Sequence, residues 1–225
     1  MRKMKLKDAT AKPELVTAGD EAAEWLASLG EVALDSFLVD GLIKDIPILG
    51  SIVGVIKGTL AIRNHAFIRK LALFVLESSV VSDKAKREFK EHLSSDPEFK
   101  KSTGTHLIIV LDRLDVLEKA GILGRVFAAF IEGKITQAQL RRLSAALDRV
   151  LVEDLIILRD FLHQNQDAML SRECFDGLES AGLALAYHSI VRSVAPNERQ
   201  GITVDKQPIL VTAVASLLVE LAFSR

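Results

Sequence analysis

One cysteine stands in 225 residues, Cys174. It excludes an intrachain disulfide framework and a structural CxxC zinc site, since both need thiols in pairs. It also fits a reducing compartment. An excess of one charge sign is missing too. The 29 Lys and Arg against 30 Asp and Glu leave a formal net charge of −1, which gives no global footprint for nucleic acid. The histidines, His65, His92, His106, His163 and His188, form no His-x-x-x-His or Glu-x-x-His pair of the kind that holds a metal on a helix. No catalytic triad or paired-acid pattern stands out either. The expectation is a non-enzymatic protein with no catalytic residues, no metal and no cofactor. The basic start at residues 1–7 is followed by the polar stretch 8–20 rather than an apolar run, so no cleaved export signal is expected.

What is present is 49% apolar and 26% charged, the balance of a folded, mostly soluble chain with material for one sizeable core or two small ones. A basic tail over 1–17 is expected to be disordered. Residues 18–166 read almost wholly as helix and are expected to form a helical bundle. Asp45 is an N-cap candidate with Pro47 in the first turn. Ser82-Asp83 caps a charged amphipathic helix, and Asp96-Pro97 opens a short segment that Thr103-Gly104 closes. Gly121 and Gly124 punctuate the piece that follows. Thr136 caps a helix whose apolar positions Leu140, Leu143, Leu147, Val150, Leu151, Leu155 and Leu158 recur at helical spacing.

After Asn165 the texture changes, and a soft boundary is expected near Gln166. Residues 171–182 read as a short helix ending in glycine. Residues 183–191 and 208–214 read as strands, and 215–223 as a final helix. Helix, strand, long loop, strand and helix resemble the back half of a winged-helix module, so the expected fold is mainly α with a winged-helix-like α+β module over 167–225. Its groove-entering helix carries Arg172 but also Glu173, Asp176 and Glu179, which phosphate repels. Its loop holds Arg192, Arg199 and Lys206 against Glu198 and Asp205. Protein contact is therefore favoured over DNA binding.

The most informative feature is Gly50, Gly54 and Gly58, spaced every four residues in an apolar stretch. On a helix they share one face. Each costs about 1 kcal/mol relative to alanine, so three in register point to a compensating close approach, as in the small-xxx-small seams of helices in lipid. The uncharged run 46–56 is eleven residues, about 16 Å of helix, whereas a bilayer span needs about 20 residues. An ordinary span is excluded on length. What remains is a core helix, an interfacial helix, or a latent segment released on activation. Ile46, Ile48, Leu49, Ile52, Val53, Val55 and Ile56 would then meet either the core or lipid.

Other patterns fail on spacing. Lys57 precedes Gly58 rather than following it, so residues 50–59 are no phosphate loop. Gly133 placed as the turn glycine of a calcium loop puts Ala128, Phe130 and Gln139 at ligand positions 1, 3 and 12, where oxygen ligands, chiefly carboxylates, are needed. A plain helix–turn–helix corner is expected there. Glu88 with His92, and the stripe Asp112, Asp115 and Glu118, are expected to be solvated faces. Cys174 is expected to be a small buried hydrophobe.

The run D-G-L-I-K-D-I-P-I-L-G-S-I-V-G over 40–54, followed by Ile62-Arg63 and F-I-R-K-L over 67–71, resembles a family of bacterial helical proteins with the motif D-G-x-x-K-D-I-P-I-x-G-x-x-x-G, for which no activity is known. The glycine-punctuated segment alone is similar to membrane-damaging helical effectors of the colicin and HeLo type. That likeness implies a membrane-associating or pore-forming effector in cell death or anti-phage defence, acting through residues 45–62. Its partners would be a membrane surface and further copies of the chain, with nucleic acid less favoured. Its place would be the cytoplasm, peripheral at the inner membrane. The alternative is a transcriptional regulator or adaptor acting through the tail.

Overall fold

The computed structural model describes residues 65–163, 170–186 and 209–223. Among them are eight helices and one two-stranded sheet, a mainly α fold. They divide into two compact units, one running to Asp148 and including residues 220–223, the other spanning Arg149–Val219.

The first unit is built from α1 (His65–Ser78), α2 (Asp83–Ser95), α3 (Pro97–Arg113), α4 (Leu117–Ile131) and α5 (Gln137–Arg149). Local chemistry fixes most of the starts. The Ser82 hydroxyl accepts from the Ala85 N–H, and the Asp96 carboxylate accepts from the Phe99 N–H at 2.8 Å ahead of Pro97. Thr136 and Gln139 form a reciprocal box: the Thr136 N–H donates to Gln139 Oε1 at 2.8 Å and the Gln139 N–H donates to Thr136 Oγ1 at 3.2 Å. α4 ends in a Schellman turn, with the Lys134 N–H on the Ala129 carbonyl and the Gly133 N–H on that of Phe130. Gly133 there has φ +70°, which glycine adopts without strain.

α1 packs most extensively against α4. Phe74 of α1 stacks on Phe127 of α4 at 5.5 Å between ring centres, and Phe89 of α2 meets Phe127 and Phe130 edge-on. Phe130 continues to Phe99 of α3, on which His92 stacks at 4.5 Å. Favourable ring geometry adds about 0.5–1.5 kcal/mol per pair to the area buried.

The second unit holds α6 (Val152–His163), α7 (Arg172–Ser180), β1 (Ala184–Ala186), β2 (Ile209–Val211) and most of α8 (Ala213–Phe223). Ser171 caps α7, and a second Schellman turn closes it at Gly182, φ +76°. β1 and β2 are antiparallel, with Leu185 opposite Leu210. Thr212 ties three elements together. Its N–H donates to the Leu183 carbonyl, its hydroxyl donates to the Gly182 carbonyl, and the same oxygen accepts from the Ala215 N–H at the start of α8.

Four expectations change. Thr103-Gly104 does not close a segment, because α3 runs through it with both residues buried. Gly121 and Gly124 lie inside α4, where the neighbouring helix comes too close for larger residues. The long periodic helix after Thr136 is two helices, broken at Val150-Leu151, with Val150 buried and Leu151 exposed. Asp112, Asp115 and Glu118 form no single stripe, since α3 ends at Arg113 and α4 begins at Leu117.

Candidate functional site

The three seam glycines, Gly50, Gly54 and Gly58, and the seven apolar residues Ile46, Ile48, Leu49, Ile52, Val53, Val55 and Ile56 lie outside the described residues. Within those residues the close helix approach occurs elsewhere, between α1 and α4. A Cβ on Gly124 would come within 2.7 Å of both the Phe74 carbonyl oxygen and the Glu77 Cβ, and one on Gly121 would meet Leu73 Cδ2 at 3.3 Å. Glycine at 124 therefore sets the distance between the two helices.

Every position of α1 from Leu71 to Ser78 is buried, and so is every position of α4 from Lys119 to Ala129 except Arg125. Apolar helices enclosed on all sides are core helices rather than surface ones. Three ionisable groups are drawn into this core. Glu77 is 4% exposed, and its Oε2 lies 3.2 Å from Arg125 Nη1. That is the one contact of the pair: Glu77 Oε1 and Arg125 Nε are buried without hydrogen-bond partners. Burial pushes the Glu77 carboxyl above its ordinary 4.5, and the Arg125 charge and hydrogen bond pull it only partly back. Lys119, 1% exposed, pairs with the exposed Asp115 at 2.8 Å. Burial raises the Asp115 carboxyl, but the Lys119 hydrogen bond and charge outweigh it and leave it below its ordinary value.

No family model, no curated protein and no solved structure matches this chain. Function therefore rests on the chain's own geometry.

A second polar cluster lies on α3 and α5. Arg141 donates to the Ser102 hydroxyl at 2.9 Å and Gln137 to that of Thr103 at 3.3 Å. Half-buried His106 has an Nε2 without a partner. Burial, and then the Arg141 charge, hold its imidazolium below 6.5. In the second unit, Cys174 is buried beside the Asp154 carboxylate. Burial first and then that carboxylate push the thiol up to about 12, so it is no nucleophile at neutral pH.

Ala128 and Phe130 lie within α4, Ala128 buried and Phe130 in the aromatic cluster, so neither offers oxygen to a cation. Glu88 pairs with Lys84 on the exposed side of α2, and His92 with Phe99. Among the described residues no group of three or more His, Cys, Asp or Glu could hold a metal ion, and no helix is long and apolar enough to cross a membrane. Arg172 lies near Asp176 on its own helix, at 3.9 Å. The loop charges Arg192, Glu198, Arg199, Asp205 and Lys206 lie outside the described residues. Sequence reasoning missed the Glu77–Arg125 pair. Its members are far apart in the chain, and only the glycines preceding Arg125 on its helix hinted at a close neighbour.

Proposed function

We propose that the protein is a non-enzymatic, membrane-associating or pore-forming effector, cytoplasmic at rest and peripheral at the inner membrane when active, with residues 45–62 as the active element. The observation that supports this reading is the enclosed α1–α4 pair. The central stretch of α1 from Leu71 to Leu76 is apolar on every face and wholly buried, and such a stretch can exchange protein neighbours for lipid without exposing backbone, because its hydrogen bonds are internal. Gly50, Gly54 and Gly58 then form the face on which copies pack.

Leakage of dye-loaded vesicles of phosphatidylethanolamine and phosphatidylglycerol tests the reading. Gly54→Leu should abolish leakage while the helical circular dichroism of the soluble protein persists. Undiminished leakage by that variant counts against the seam, and failure of the wild-type protein to bind the vesicles rejects the effector reading.

One observation favours a second reading, an adaptor with a winged-helix-like tail. Leu185 and Leu210, opposite each other on the sheet, are 52% and 49% exposed. An exposed leucine pair between α7 and α8 in the chain suits contact with another protein. Tight binding to duplex DNA with a steep salt dependence would instead make the tail a transcriptional regulator.

A further inference from the structure

We propose that the Glu77–Arg125 pair is an opening latch, and that the α1–α4 seam is a two-state element which this pair biases toward parting while the apolar contacts around it hold it shut. The two tendencies meet at one interface. On the closing side stand the Phe74–Phe127 stack, Leu73 against Gly121, and the backbone approach at Gly124. On the opening side, a buried carboxylate meets a partly exposed guanidinium through a single 3.2 Å contact, with Glu77 Oε1 and Arg125 Nε left unsatisfied. A two-pronged Arg–carboxylate pair would have engaged both oxygens. A carboxylate buried with such poor geometry does not recover the cost of its desolvation. Parting the helices rehydrates all of these groups at once.

The seam is also discontinuous in its response. The helices lie so close at Gly124 that an added Cβ would stand 2.7 Å from both the Phe74 carbonyl oxygen and the Glu77 Cβ, so the contact has no slack there. Packed interfaces of this kind shift between arrangements rather than deform gradually. That the opened faces then meet lipid rests on the membrane reading above, whereas the latch itself does not.

The test uses the full-length chain and amide hydrogen exchange of α1 and α4, under conditions where exchange reports the opening equilibrium. Replacing the pair by apolar residues of similar size, Glu77→Leu with Arg125→Met, removes the opening bias, and exchange of the α1 amides should slow about tenfold. Gly124→Ala places a methyl against the Phe74 carbonyl and should speed it. Should Gly124→Ala fail to fold, Gly121→Ala is the milder wedge, since the Leu73 side chain can give way, and it should speed exchange by less. Exchange in the double variant equal to or faster than wild type overturns the latch, as does that variant's failure to fold. Unchanged exchange in the glycine variants overturns it as well. Vesicle leakage in the order Gly124→Ala, wild type, double variant supports latch and membrane reading together. The same order in exchange with no leakage from any variant leaves the latch standing and rejects the membrane reading.

Discussion

A Cβ on Gly177 would lie 2.6 Å from Oδ2 of Asp154, so the buried carboxylate occupies the space that the missing side chain leaves between α6 and α7. Gly177→Ala forces a short, enclosed side chain to move. It should destabilise the second unit by about 1–3 kcal/mol, the usual cost of overpacking. Denaturant unfolding followed through α6 and α7 amides checks this, and a neutral result would mean that Asp154 can turn aside freely.

Cys174 should react slowly. With its thiol pushed up to about 12 by burial and then by Asp154, little thiolate exists at neutral pH, and alkylation by iodoacetamide should lag far behind that of the unfolded chain. Asp154→Asn removes the carboxylate's charge but leaves the burial, the largest single cause, and should recover only part of the rate. Full recovery would assign the shift to the carboxylate instead of to burial.

Two groups make stability depend on pH in opposite directions. The folded-state value of Glu77 is raised, so its contribution is fully present below 4.5 and is lost as pH rises through the raised value. The folded-state value of His106 is lowered, so its contribution is present above 6.5 and is lost as pH falls through the lowered value. The stability of wild type relative to Glu77→Gln should therefore fall as pH rises above 4.5. Relative to His106→Gln it should fall as pH drops below 6.5. Slopes of the same sign in the two comparisons would contradict one of the two assignments, and both slopes reversed would contradict both.

Gly133 and Gly182 both have positive φ, and a Cβ at either would meet nothing within 4 Å. The cost of Gly133→Ala is thus backbone strain alone, about 1–2 kcal/mol. Asparagine, which tolerates this conformation better, should cost less. Thermal unfolding of the two variants against wild type gives the ranking, and equal losses would point to a lost contact rather than to φ.

What was legible in the sequence is what short-range chemistry decides. Ser82, Asp96, Thr136 and Ser171 all act as helix starts, because each cap bonds within three residues of itself. The order α7, β1, β2, α8 was also readable from turn residues and apolar runs. What failed depends on distant partners. Gly121 and Gly124 look like breaks, yet α1 requires them small. No glycine or proline marks the break at Val150-Leu151. Nothing local in the sequence marks Glu77 and Lys119 as buried charges, since their burial depends on the packing of helices distant in the chain.

The corner between α4 and α5 carries a kinetic consequence. The Schellman turn at Gly133 and the Thr136–Gln139 box close every one of their bonds between residues 129 and 139, with no contribution from a distant strand or helix. Loops of this length close in about 10–100 ns, long before α1 can find α4 across the intervening helices. The corner is thus a place where folding can begin, and the seam a place where it finishes. Thr136→Ala should accordingly slow refolding while leaving the unfolding rate nearly unchanged, whereas substitutions at Gly124 should act mainly on unfolding.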